Sequence, residues 1–282
     1  MRALAKDMFF LLVRLFGVNT LTGALGGNRA YVIGYHSIGE VSHPACHEDL
    51  YPHLTIAPAT FERQLRYLTQ HGHTFVRIEE LATSLATGVS KPTAVYFDDG
   101  FRNVKTAALP ILKGYSVPAT VFVTSGVPDG DVTRMARFTE ADVPPELAAE
   151  IFLSWQELEE LAREGVVIGA HGATHAKLTE CAPDKLAAEL AIPRERIKQM
   201  IGSSVDLLSY PHGRASETVA RAAQAAGYRY AVTAHEGTNT SRDLATRPLL
   251  LKKVAPKPWD SFTVFVLKLA SWEALQKLRS LW

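Results

Sequence analysis

Two cysteines in 282 residues, Cys46 and Cys181, are too few for a disulfide scaffold. Their spacing is not that of a zinc knuckle or a redox loop, and two independent thiols are the simpler account. Neither sign of charge is in surplus. Thirty basic against 29 acidic residues leave a formal charge of +1, whereas a nucleic-acid-binding protein carries a marked positive excess. Long hydrophobic runs are missing too. The most apolar stretch, Met8-Phe9-Phe10-Leu11-Leu12-Val13, is bracketed by Asp7 and Arg14 and is much shorter than a bilayer requires. There is no glycine-rich phosphate loop, because Gly23, Gly26 and Gly27 lack the strand–turn–helix setting of a nucleotide fingerprint. No internal repeat is evident.

What the chain does have is apolar mass. At 47% hydrophobic residues, it can bury a large core as one barrel or open α/β domain, or as two small domains. Residues 1–27 form an apolar segment with a basic start at Arg2 and Lys6. Three readings of it stay open: a cleaved signal, an interfacial helix on a membrane surface, and a helix packed on the domain. The corresponding location is cytoplasmic or peripheral to a membrane, with secretion not excluded.

Periodicity organises the rest. Tyr31-Val32-Ile33-Gly34-Tyr35 reads as a buried strand that delivers His36 at its end. An amphipathic helix over 58–71 places Phe61, Leu65 and Leu68 on one core-facing side. Val76-Arg77-Ile78 and a helix over 79–86 lead to a strand over 93–97 that ends at Asp98-Asp99-Gly100. A helix over 103–115 and a strand over 119–123 follow. Residues 128–150, with Pro144-Pro145, read as an irregular insertion in which Arg134, Arg137 and Phe138 are either substrate contacts or solvated loop.

Ser154 and Glu157 form a capping-box signature for a helix over 155–163. A strand over 166–170 then ends at His171. Next comes a helix over 182–200, which Pro193 should kink or break. The strand over 207–210 precedes Pro211-His212-Gly213, and a helix over 216–226 precedes a strand over 228–233. The last elements are a strand over 249–254 and a C-terminal helix over 259–282. Trp155 and Trp259 are placed either as barrel supports or as sugar-stacking faces. About seven alternating strand–helix units predict parallel strands with right-handed crossovers. Periodicity alone does not separate a closed barrel from an open sheet.

The polar residues fall in one kind of place. His36, Asp98-Asp99, His171 and the Pro211-His212-Gly213 turn each follow a predicted strand, and in either architecture the strand ends gather where catalytic groups sit. His171 and His175 are four apart, a spacing that can join two imidazoles on one metal. A carboxylate from elsewhere would complete a two-histidine, one-acid set with open positions for water and substrate. Asp98-Asp99 can supply it, one acid binding metal while the other accepts a proton. A helix cap and a solvated turn are the plain alternative.

Taken together, these motifs resemble the polysaccharide deacetylase family, also called the NodB-homology or carbohydrate esterase family 4 domain. Tyr35-His36-Ser37-Ile38, Val95-Tyr96-Phe97-Asp98-Asp99-Gly100, Ile168-Gly169-Ala170-His171-Gly172-Ala173-Thr174-His175 and Ser209-Tyr210-Pro211-His212-Gly213 resemble its successive motifs, over about 31–255. The resemblance implies a single catalytic domain over 28–258, a distorted, incomplete (β/α) barrel with seven parallel strands. It implies Asp98 as general base and Asp99, His171 and His175 as ligands of a divalent metal, zinc first, with cobalt or nickel as alternatives. The His212 backbone N–H would stabilise the oxyanion, and Tyr210, Pro211 and Gly213 would shape the substrate pocket.

The sequence also departs from the family. Gly172 stands where Ser or Thr is common, Ser209 where many members have arginine, and His212 where tyrosine is usual. No histidine follows His235, so the family's C-terminal general acid is missing. His36 is the first candidate for that role, His212 the second and His235 the third. The expected activity is hydrolysis of N-linked acetyl from amino sugars of a polysaccharide, oligosaccharide or lipid-linked glycan. An O-acetyl carbohydrate esterase and a non-hydrolytic glycan-binding domain are the alternatives. No nucleic-acid partner is expected.

Overall fold

A computed structural model of the chain describes residues 29–40, 52–130 and 150–269. Residues 1–27, most of the insertion 128–150, and the end of the helix expected over 259–282 therefore lie outside the described residues, as does Cys46.

Ten strands are described. They are β1 (Tyr31–Tyr35), β2 (Ser37–Ile38), β3 (Thr55–Ile56), β4 (Thr74–Phe75), β5 (Pro92–Phe97), β6 (Ala119–Val123), β7 (Val167–Ala170), β8 (Leu207–Ser209), β9 (Tyr230–Glu236) and β10 (Leu251–Lys253). Seven of them run β1-β5-β6-β7-β8-β9-β10, all pairs parallel, with β4 beside the start of β5. The two ends of this path meet: the Gly34 N–H donates to Val254 O at 3.0 Å, and the Val254 N–H to Val32 O at 2.8 Å. The result is a nearly closed barrel of seven parallel strands, as expected from strands alternating with helices. β2 and β3 pair separately.

The helices are α1 (Pro58–Gln70), α2 (Leu81–Ala86), α3 (Leu109–Gly114), α4 (Trp155–Arg163), α5 (Pro183–Ile201), α6 (Glu217–Ala225), α7 (Ser241–Thr246) and α8 (Phe262–Leu269). In α1, Pro58 opens the first turn, and Phe61, Leu65 and Leu68 are fully buried. Burial of such side chains stabilises by about 1.5–3 kcal/mol each, far more than helix propensity supplies. Ser154 accepts the Glu157 N–H and Glu157 accepts the Ser154 N–H, the reciprocal cap that starts α4.

Several boundaries differ from expectation. Pro193 does not break α5, which runs unbroken across it. Its ring is buried, and packing outweighs the hydrogen bond it cannot donate. The helix expected over 103–115 begins with a π-helical turn at Val104–Ala108. Pro110, just inside α3, has no N–H to return to the preceding turn, a local reason for the irregular ladder. β4 lies just before the run Val76-Arg77-Ile78, and Ile78–Glu80 form a 3-10 turn ahead of α2. Helix α7 was not anticipated, although Thr240 and Asp243 form a capping box at its start. Trp259 is 69% exposed and lies on the surface, outside the core. Trp155 is buried, and its indole N–H donates to Asp129 at 2.8 Å. In α8, Phe265 and Leu269 belong to the core, and Phe265 packs edge-on to Tyr67.

Candidate active site

The strand ends carry the polar groups to one rim. His36 follows β1, Asp98 and Asp99 follow β5, His171 follows β7, and Tyr210 to Gly213 follow β8. The turn at His36 is pinned from behind. The Asn103 amide donates to Ser37 Oγ at 2.7 Å, Thr55 Oγ1 donates to the same oxygen at 2.9 Å, and the Ile38 N–H reaches Asn103 Oδ1 at 3.3 Å.

Asp99, His171 and His175 converge, with one ligand atom from each lying within 4.8 Å of the others. His171 Nε2 is 3.3 Å and His175 Nε2 is 3.7 Å from Asp99 Oδ1, and the two Nε2 atoms are 3.2 Å apart. All three residues are buried. His171 Nδ1 lies 2.7 Å from the Ser209 carbonyl, which can only accept, so Nδ1 carries a hydrogen. In the neutral ring Nε2 is then a bare lone pair facing a carboxylate and a second imidazole. Neither Asp99 oxygen has a hydrogen-bond partner. Lone pairs crowded this way, in a buried site, fit a divalent cation.

Electrostatics follow from the same crowding. Burial would raise the Asp99 pKa, but contact with His171 and the nearby His36 and His175 hold it well below the usual carboxylate range. Burial lowers His171, yet Asp98, Asp99 and the Ser209 carbonyl outweigh it and leave that imidazole above its ordinary pKa. Burial and the neighbouring His171 keep His175 far below it, in the neutral form a metal ligand requires.

Asp98 stands beside the triad, with Oδ2 3.9 Å from His36 Nε2 and Oδ1 3.9 Å from His171 Nδ1. Its Oδ1 is buried and without a hydrogen-bond partner. Burial lowers the His36 pKa, against the pull of Asp99 and Asp98.

The backbone is strained here. Asp99 (φ 71°), His175 (φ 56°) and His212 (φ 58°) all occupy the left-handed region, which costs about 1–3 kcal/mol per residue and concentrates at functional sites. The His175 conformation is held by a residue the sequence reading missed. Glu189, buried on α5, accepts the N–H groups of Ala173 and Thr174 at 3.0 and 2.9 Å, and also the Thr174 hydroxyl. Its one signal in the sequence was an acid on the apolar stripe formed by Leu186, Leu190 and Ile197. Gly172 (φ 79°) leaves room for this clamp, since a Cβ there would lie 3.3 Å from Glu189 Oε2.

Other candidates are distributed unevenly. His212 lies edge-on to His175, with ring centroids 4.5 Å apart. Tyr210 is fully buried and its hydroxyl donates to the Leu249 carbonyl at 2.9 Å, so it offers substrate no hydroxyl. Pro211 is buried beside Gly172, and Gly213 (φ 63°) fits tightly against Ala234. On β9, Ala234 and Glu236 line the cleft, while His235 between them is exposed. The cleft holds about 360 Å³ and is walled by His36, Asp98, Asp99, His171, His175 and His212, with further residues around them.

Comparison with known proteins assigns the chain to a family. YxkH of Bacillus subtilis, a polysaccharide deacetylase by name, is 25% identical over 229 residues, 80% of this chain and 71% of that protein. A poly-beta-1,6-N-acetyl-D-glucosamine N-deacetylase of Staphylococcus aureus is 23% identical over 227 residues, covering 74% of this chain and 73% of that one. The solved structure of a Streptococcus pyogenes deacetylase in complex with acetate shares the fold. Its TM-score is 0.68 at 23% identity, over 86% of this chain and 98% of that one. The sequence profile of the polysaccharide deacetylase family matches residues 86–231, a span that includes Asp98, Asp99, His171, His175 and His212. The chain belongs to the polysaccharide deacetylase family.

Proposed function

We propose that this protein hydrolyses N-linked acetyl groups of amino sugars in a polysaccharide or oligosaccharide, at a centre made by Asp98, Asp99, His171 and His175. The observation that carries this reading is the buried convergence of Asp99, His171 and His175 with Asp98 at its edge. The relatives named for poly-N-acetylglucosamine deacetylation supply the substrate class.

Asp99, His171 and His175 would hold a divalent cation, zinc before cobalt or nickel. Such an ion, when bound, lowers the pKa of water and polarises a carbonyl. Asp98 takes the proton of the attacking water on its carboxylate, whose Oδ1 has no hydrogen-bond partner. The His212 backbone N–H would stabilise the carbonyl oxygen as it gains charge, the role the family resemblance gives it. Breaking the C–N bond then needs a proton on the departing nitrogen. His36, whose Nε2 is 3.9 Å from Asp98, receives the proton from that carboxylate and passes it to the amine. His212 is the second candidate for this last transfer. The products are acetate and a free amino sugar.

The test is acetate release from defined N-acetylated and O-acetylated oligosaccharides after chelation and single-metal restoration. Release from N-acetyl substrates that vanishes on chelation and returns with metal supports the reading. Release from O-acetyl substrates alone replaces it with an esterase.

A glycolipid substrate and contact of residues 1–27 with a membrane surface are finer readings that rest on the sequence. No described helix is long and apolar enough to cross a membrane. Partition of the full chain and of a variant lacking 1–27 between buffer and lipid vesicles tests them, and equal partition removes them.

A further inference from the structure

The metal triad lines one hollow, and its His175 also lines a second. One is the cleft of about 360 Å³ already described, whose wall includes Lys253 and Lys257. The other, about 700 Å³, carries Lys177 and Lys185. His175 and His212 line both, so this ring pair is the ridge between them and a lysine pair stands on either side.

These four lysines differ from four others. Lys105, Lys113, Lys252 and Lys268 each reach a carboxylate. Among the described residues, Lys177, Lys185, Lys253 and Lys257 form no ion pair. The carboxylates on the same walls do not cancel them. Glu180 is taken by Arg214 at 2.8 Å; in the other cleft Asp98 and Asp99 belong to the metal centre, which leaves Glu236 facing two ammonium groups. Lys257 is part-buried, and burial together with Lys253 and Lys268 presses its pKa below the ordinary lysine value. Overall charge does not explain the pattern, because basic and acidic residues balance at 30 to 29.

Like charges held together on a partly desolvated wall raise the free energy of the empty cleft, and an anion relieves it. A compact ammonium group suits a carboxylate or phosphate oxygen, whereas sugar hydroxyls give it much less. We propose that the substrate is an anionic glycan, with carboxylate or phosphate substituents flanking the acetamido sugar and seated on Lys253–Lys257 and Lys177–Lys185. This rests on the deacetylase reading and names its substrate class.

The experiment compares three N-acetylated oligosaccharides of equal length: one neutral, one with uronic acids beside the acetamido sugar, and one with phosphate there. At low ionic strength, kcat/KM for at least one anionic substrate should exceed that for the neutral one by roughly tenfold or more, and the ratio should shrink in high salt. The double variants K253A/K257A and K177A/K185A should bring that ratio toward one, mainly through KM. Equal turnover of all three substrates by the wild type overturns the proposal, as does an equal loss on all three in both double variants. Binding of the same oligosaccharides to Asp98→Asn separates this from the activity itself. A preference for the anionic ligands without turnover by the wild type would sink the deacetylase reading and leave the anionic one standing.

Discussion

Glu189 on α5 accepts both the backbone N–H and the hydroxyl of Thr174, the residue directly before His175. The carboxylate therefore holds the loop that turns His175 toward Asp99. Glu189→Ala should weaken zinc affinity about 10–100-fold, the usual cost of losing a residue that orients a ligand. Glu189→Gln, whose amide oxygen can still accept one of these bonds, should recover part of the loss. Titration calorimetry with zinc measures both, and unchanged affinity in the alanine variant would remove the positioning role. Thermal melting of the same proteins separates this from general unfolding.

Metal binding and turnover should separate at the adjacent acids. Asp99→Ala or His171→Ala should abolish stoichiometric zinc binding. Asp98→Asn should keep zinc but lose about 10²–10⁴ in kcat, the range for removing a general base. Retained turnover in Asp98→Asn would reassign the base.

A comparison of His36→Gln with His212→Gln decides the proton donor. A general acid must be protonated, so activity falls as pH rises through its pKa. His36→Gln should lower kcat about 10²–10⁴-fold and remove that alkaline limb, while His212→Gln keeps it. The reverse pattern exchanges their roles.

His73 predicts an acid-dependent loss of stability. Burial, with the charges of Lys91 and His71, presses its pKa down to about 3. The unfolded chain takes up a proton near pH ~6.5 that the folded chain refuses until about pH 3. Stability from this group is therefore complete at neutral pH and declines as pH falls through that window. His73→Gln should narrow its stability gap to the wild type on going from about pH 7.5 to about pH 4.5. Urea unfolding at the two pH values measures this, and a constant gap would exclude His73 as the source.

Gly213 tests the rim itself. A Cβ there would lie 2.2 Å from Ala234 Cβ and 2.5 Å from its backbone nitrogen, at a φ of 63°. Gly213→Ala should destabilise by about 3 kcal/mol or more, from overpacking plus left-handed strain. A melting temperature equal to the wild type's would show that β9 can yield.

The local pattern of residues was enough to determine much of this protein. Apolar runs alternating with amphipathic helices announced a parallel α/β fold, and Asp98-Asp99, His171 and His175 were visible as chemistry at strand ends. These features depend on neighbours in the chain, through side-chain alternation and spacing. Closure of the barrel was not legible, because it is made between β1 and Val254, the residue directly after β10, by hydrogen bonds to Val32 and Gly34. That α5 continues through Pro193 was not legible for the same reason, since burial of the ring decides it. Tyr210 lines the cleft as expected, but only the fold shows that Leu249 holds its hydroxyl. Glu189 and the unpaired lysines acquire meaning only where folding sets them, one behind the His175 loop and the others along the cleft. Sequence alone supplied the reactive groups. Tertiary structure decided which face one another, because distances across a barrel depend on the packing of the whole chain.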